Sequence, residues 1–338
     1  MRVSVLATTS ALVIIGFIGC APALGGPARL HVVADDGFVL TMWRKAPAHP
    51  RRAVLLIHGR TWSARPDFDL QVPGEQRSFM DALVAQGYAA YALDLRGYGA
   101  TARDKTGFLT PERAAADVAA ALRTIGAASR PALFGWSRGA MVALLAAQRH
   151  PELVAAVVLF GYPGDPDGKR PEEPDPAAPE RARTTAAAAA EDFIAPGVIS
   201  RSAVDAYVAA ALAADPIKAD WRREHEWNAL DPARLRVPLL LLQAELDPLA
   251  ATDAHARLFT RLGTADRQWV VIPRGDHAAL LEDTAPRLIA AVRAFLDRPP
   301  REREGGSITR SAGPRDPAVG SARSPQATRP SPLRASQR

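Results

Sequence analysis

Cysteine is nearly absent: Cys20 is the only one in a chain of 338 residues. No intramolecular disulfide can form, no cysteine-ligated metal cluster can be assembled, and no thiol lies in the body of the chain. A phosphate-binding loop, a dinucleotide fingerprint and a metal-spaced His/Asp cluster are missing too, so neither a cofactor nor a metal is implied. The formal charge of +6 is not spread along the chain. Residues 301–338 hold eight arginines against Glu302, Glu304 and Asp316, Arg2 adds one more cation, and residues 3–300 are left neutral. A neutral body without a recognition motif excludes nucleic acid as an expected partner. No acidic cluster that would receive a substrate amine is evident along the chain either. What the sequence does hold is apolar residues, 48% of the total, enough for one large core.

Residues 1–20 do not belong to that core. Arg2 precedes an apolar run over residues 3–18, and the run ends in Gly19-Cys20, the layout of a bacterial export signal. Ile18-Gly19-Cys20 resembles a lipobox, in which the cysteine is lipidated and becomes the mature N-terminus. A lone cysteine at this place fits that use, and a diacylated cysteine anchors stably in a bilayer. Two other readings stay open: secretion after cleavage past Ala21-Pro22-Ala23, and an uncleaved membrane anchor, for which the run is short. Residues 21–29 would be a spacer. Residues 299–338, rich in Ser, Pro, Gly and Arg, bury too little apolar surface to fold. Nothing in the sequence bears on the oligomeric state.

Between these ends the chain alternates. Residues 30–34 and 39–44, joined by Asp35-Asp36-Gly37, read as a β-hairpin. Residues 78–86 predict a helix closed by Gly87, and residues 111–125 a second, with Thr110 as N-cap and Pro111 at the first helical position. Apolar strands are predicted to end at His58, at Asp94 and at Phe160, the last beginning at Leu153. Strands alternating with helices imply right-handed crossovers and a mostly parallel sheet covered on both faces. From Tyr162 to Arg236 the alternation stops: prolines stiffen the first part, and helices are expected over residues 182–194, 200–214 and 216–227.

Chemistry is concentrated at five strand ends. Pro131-Ala132-Leu133-Phe134 leads into Gly135-Trp136-Ser137-Arg138-Gly139 and then into a run of small apolar residues that reads as a buried helix. A G-x-S-x-G between strand and helix is a nucleophile elbow, whose tight turn lifts a serine hydroxyl clear of the sheet and leaves no room for a Cβ at either glycine. Val54-Leu55-Leu56-Ile57-His58-Gly59 ends in His-Gly, and Asp94-Leu95-Arg96-Gly97-Tyr98-Gly99 forms a D-x-R-G-x-G turn. Further on, Leu239-Leu240-Leu241-Leu242 runs to Glu245 and Asp247, and Trp269-Val270-Val271-Ile272-Pro273 precedes Gly275-Asp276-His277. Serine, acid and histidine thus follow in that order, each just past a strand. On these motifs the chain resembles the α/β-hydrolase superfamily over residues 30–296.

The resemblance implies an α/β fold: a mostly parallel α/β-hydrolase sheet with helices on both faces. Its core would take residues 30–162 and 237–298, with a helical cap over the active site from residues 163–236. With the export signal, it implies an exported serine hydrolase acting on carboxylic esters, since relatives with aspartate at the elbow open epoxides or displace halide, whereas here the residue is serine. Ser137 is the expected nucleophile, His277 its base and Asp247 the acid that orients the base. His255 and His225 are alternative bases, and Glu245 and Asp253 alternative acids; Asp276 reads as a surface residue. The oxyanion amides would be those of Arg138 and Arg60, with Thr61 in place of Arg60 if the loop is turned by one residue. Trp62 and Trp136 are candidates for the pocket mouth, or else for core packing. His58 would brace its loop, and Asp94, Arg96 and Gly97 would be structural. The same triad could instead serve an aminopeptidase-type amide hydrolase or a perhydrolase, and the alternative outside catalysis is a lipid-anchored binding module. The partner expected of the enzyme is a small-molecule ester.

Overall fold

Long apolar runs can be satisfied only where both faces of a sheet are covered, and the strands meet that condition. A computed structural model describes residues 26–299 apart from 127–128, 176–177 and 179–180. The segment expected to be an export signal, Cys20 and the tail beyond Pro299 therefore lie outside the described residues. Eight strands form one sheet: β1 (Ala28–Val33), β2 (Val39–Lys45), β3 (Arg52–Ile57), β4 (Tyr88–Asp94), β5 (Ala132–Trp136), β6 (Ala156–Phe160), β7 (Leu239–Ala244) and β8 (Arg267–Ile272). Their order is β1-β2-β4-β3-β5-β6-β7-β8, antiparallel for the first two pairings and parallel for the rest.

Alternate residues of the central strands feed two separate cores. Leu55, Ile57, Leu133, Val157, Leu159, Leu239 and Leu241 face one, with helices α3 (Pro111–Gly126) and α4 (Arg138–Arg149). Val54, Leu56, Phe134, Val158, Phe160, Leu240 and Leu242 face the other, with α2 (Phe79–Ala85) and α8 (Ala285–Leu296). The expected α/β-hydrolase architecture is the one observed. Thr110 accepts from the Arg113 amide at the start of α3, and Gly87, at φ +85°, ends the turn after α2.

Differences from the sequence reading have local causes. Strand β6 starts at Ala156 because Pro151–Leu153 make a 3₁₀ turn. The short α1 (Ala64–Phe68), α7 (Thr252–Arg261) and α8 lie where no helix was assigned. In residues 163–236, α6 (Arg201–Ala214) matches expectation, but α5 spans only Ala186–Ala190. The helix expected over residues 216–227 does not form. There the Leu109 amide donates to the Asp220 carbonyl at 2.8 Å and the Arg222 amide to the Leu109 carbonyl at 2.9 Å. Pairing with a core loop replaces i→i−4 bonding, and helix propensity is overridden; regular structure resumes as a 3₁₀ turn at Glu224–Ala229.

Candidate active site

Every residue from 131 to 148 is buried except Ser137. It sits between β5 and α4 at φ 55°, ψ −122°, a conformation costing on the order of 1–3 kcal/mol in a non-glycine residue. Packing holds it there. The Ser137 amide donates to the Phe160 carbonyl at 2.9 Å. A methyl on Gly135 would lie 2.5 Å from Ala140 Cα, and one on Gly139 would lie 2.7 Å from the Ile57 carbonyl carbon. The two glycines thus let α4 lie directly against β5 and the end of β3.

Three residues beyond β7, Asp247 accepts from His277, with Nδ1 to Oδ2 at 2.8 Å; its other oxygen accepts from the Leu249 amide at 2.9 Å. The His277 loop is tied to the Asp247 loop by Leu246 donating to the Gly275 carbonyl at 2.9 Å and Arg274 to Glu245 Oε2 at 2.8 Å. Gly161, at φ +56°, leaves the pair its space: a methyl there would come within 3.0 Å of His277 Cε1 and 3.2 Å of Asp247 Oδ2. The alternatives are engaged elsewhere. His255 is buried with Nε2 on the Tyr162 carbonyl at 2.9 Å. Asp253 pairs with Arg257, and Glu245 with the Arg274 amide. His225 lies in the 3₁₀ turn of residues 224–229.

Asp276 is a correction. It is fully buried, not a surface residue: Oδ2 accepts from the amides of Ile194 (2.5 Å) and Ala195 (2.6 Å), and Oδ1 from that of Ala278 (2.8 Å). The residue beside His277 therefore ties the helical insertion to the histidine loop. Behind it, Glu282 accepts from the Asp276 amide, and burial pushes its carboxyl up to about 9.

Arg138 opens α4, so its amide stands at a helix N-terminus. Neither that amide nor those of Arg60 and Thr61 have an acceptor among the described residues. His58 Nδ1 donates to the Gly59 carbonyl at 2.9 Å and Nε2 accepts from the Leu95 amide at 3.2 Å. Burial holds its ring down at about 4, so it is a neutral brace. Asp94 accepts from Trp43, Ala64 and Ala100, and Arg96 binds Asp117 through two nitrogens, which makes that turn a structural support. Trp136 lies behind His277: its Nε1 donates to the His277 carbonyl at 2.7 Å, with ring centroids 5.7 Å apart. Trp62 is equally buried and lies beside the Asp192 carboxylate.

The structure also assembles acids that are scattered in sequence. Tyr207 of α6 donates to Asp67 Oδ1 at 3.0 Å and reaches Asp192 Oδ2 at 3.4 Å, while Asp67 Oδ2 accepts from the Gly59 amide at 3.1 Å. Burial pushes Asp67 well above the carboxylate range and Asp192 up to about 6, the latter opposed by the nearby His277. No local signal marks Asp67, Asp192 or Tyr207, because their meeting depends on how the insertion folds back.

Residues 48–284 match the profile of the family described as serine aminopeptidase, S33. No curated protein is significantly similar to the chain. A solved serine hydrolase involved in carbazole degradation superposes with a TM-score of 0.59 at 18% identity, covering 80% of this chain and 98% of that one. An esterase from Thermogutta terrifontis gives 0.56 at 20% identity, with 80% and 98% covered. An esterase from Rhodococcus sp. ECU1013 gives 0.57 at 20%, with 79% and 98% covered. At such identities the likeness is one of fold.

Proposed function

The chain belongs to the serine aminopeptidase S33 family of α/β-hydrolases and is a serine hydrolase, and on that premise we propose that it cleaves small carboxylic esters through Ser137, His277 and Asp247. The observations that carry the reading are the His277–Asp247 contact of 2.8 Å and Ser137 as the one residue of the elbow that is not buried. In the reaction His277 Nε2 takes the Ser137 hydroxyl proton as Oγ attacks the ester carbonyl. Asp247 holds the other ring nitrogen as the N–H tautomer and steadies the imidazolium. The negative oxygen forms against the amides of Arg138 and Arg60, a donor pair worth about 10²–10³ in rate per donor in acyl transfer. The C–O bond to the alcohol then breaks as His277 returns the proton to the departing oxygen, leaving an acyl-Ser137. Water, deprotonated by the same nitrogen, releases the acid.

A fluorophosphonate should label wild-type protein and not Ser137→Ala, and a short-chain chromogenic ester should be hydrolysed only by the former. Labelling of Ser137→Ala at the wild-type rate would place the nucleophile elsewhere. Hydrolysis of an aminoacyl amide by the same residues is the second reading, favoured by the Asp192 carboxylate near His277: with its carboxyl at about 6, it is ionised at pH 8 and could receive an ammonium group. Relative kcat/KM on matched ester and aminoacyl amide substrates separates the two. For location we propose export with a lipid on Cys20. A mature N-terminus at Leu24 without acyl mass would refute the anchor.

A further inference from the structure

We infer that Trp221, a residue of the helical insertion, holds the loop that carries the Arg60 and Thr61 amides and braces the side chain of Arg138, which makes it a positioning residue for acyl transfer. The inference rests on the reading of Ser137 as nucleophile with donors at Arg138 and at Arg60 or Thr61. Those donors come from two loops, one after β5 and one after β3, and each must be aimed at the same point for the charge to be stabilised.

Trp221 touches the supports of both with different parts of one indole. Its Nε1–H donates to Tyr98 Oη at 2.6 Å, and the Tyr98 hydroxyl donates to the Arg60 carbonyl. In a trans peptide the carbonyl and the following N–H are antiparallel. Fixing the Arg60 carbonyl therefore fixes the direction of the Thr61 amide. The preceding plane, which carries the Arg60 amide, is fixed by His58 Nδ1 on the Gly59 carbonyl, and the His58 ring packs on Tyr98 at 4.4 Å between centroids. Whichever of the two amides is the donor, Tyr98 and its neighbour set its direction. The face of the same indole packs on the side chain of the residue that supplies the other amide: the Arg138 guanidinium lies 5.0 Å from the Trp221 ring centroid, with Trp227 on it at 6.0 Å. Glu224 pairs with the same guanidinium and with Arg170. Arg138, Tyr98 and Trp221 are all buried, so these contacts are shielded from solvent. Trp221 is in turn held by the backbone pairing of its two neighbours, Asp220 and Arg222, with Leu109.

The test compares Trp221→Phe, which keeps a ring face over Arg138 but loses the N–H, with Trp221→Leu, which loses both. Tyr98→Phe removes the donor to the Arg60 carbonyl. Expected are a fall in kcat of about threefold for Trp221→Phe and about tenfold or more for Tyr98→Phe and Trp221→Leu, all below the loss from deleting a donor outright. KM for a short ester should stay nearly constant, and binding of a trifluoromethyl ketone, which mimics the tetrahedral adduct, should weaken in parallel with kcat. The double variant Trp221→Phe/Tyr98→Phe should be no slower than Tyr98→Phe, because both act through one carbonyl. Unchanged kcat, losses confined to KM, or additive effects in the double variant would overturn the inference. Should Trp221→Leu not fold, the two phenylalanine variants decide alone. A wild-type protein that a fluorophosphonate does not label would sink the parent reading instead, whatever the Trp221 variants do.

Discussion

The elbow and the helical insertion sit against each other and are specified in opposite ways. Around Ser137 each constraint is short in sequence or set by the strand beside it: two glycines without room for a methyl, a helix that starts at once, and buried apolar neighbours. The insertion has little internal structure beyond α5, α6 and 3₁₀ turns; it buries Ala203, Tyr207 and Ala211 of α6 in the core, pairs its backbone with Leu109, and is fastened besides by single side chains of the core. Asp276 takes the amides of Ile194 and Ala195, Asp67 takes the Tyr207 hydroxyl, and Arg138 takes Glu224 and Trp221. A locally specified element fails all at once when altered. A region fastened at several separate points should fail by degrees, one point at a time.

Substitutions in the two regions test that contrast. Gly139→Ala should give the largest effect, since its methyl would overlap the carbonyls of Ile57 and His58; recovery of soluble, active protein would show that the elbow can relax. Ser137→Ala should leave thermal unfolding near wild type while lowering ester turnover by about 10⁶-fold, as for loss of a triad nucleophile. Asp247→Asn should cost about 10⁴-fold, and Glu245→Gln little; the reverse ranking in steady-state assays would reassign the acid. On the insertion side, Asp276→Asn replaces the oxygens that accept three amides with one oxygen and one donor. Its expected cost is about 1–3 kcal/mol of stability, read by denaturant unfolding, with partial loss of turnover. An effect as complete as that of Ser137→Ala would mean that the insertion is not held by separable tethers.

The effect expected at Glu282 depends on pH. Its carboxyl is raised to about 9 in the folded protein from 4.5, so its contribution to stability is fully present below pH 4.5 and lost as pH rises through about 9. Glu282→Gln mimics the protonated acid and removes that loss. Its Tm should match wild type near pH 4 and exceed it by a growing margin as pH rises toward 9.5. Equal Tm values at both pH values would show that Glu282 titrates normally.

Much of the fold could be read along the chain because its signals are periodic or steric. Continuous apolar runs such as Leu239-Leu240-Leu241-Leu242 require cover on both faces, and Gly-x-Ser-x-Gly between a strand and a helix allows one backbone path. The insertion was legible only in part. Residues 201–214 form their helix as propensity predicts, whereas residues 220–222 pair with Leu109, a partner more than a hundred residues away that no local pattern marks. Asp276 was read as a surface residue because nothing in Gly-Asp-His indicates that distant amides will bury it.

Sequence alone determined the alternating architecture, the order of the serine, acid and histidine positions and their placement just past strand ends, since these follow from residue type, spacing and the sterics of a short turn. Tertiary structure decided that His277 meets Asp247 and not Glu245, that buried acids converge on Tyr207, and that one indole spans Tyr98 and Arg138. Those contacts join residues on separate loops, and their geometry exists only once the sheet has set the distances between the loops.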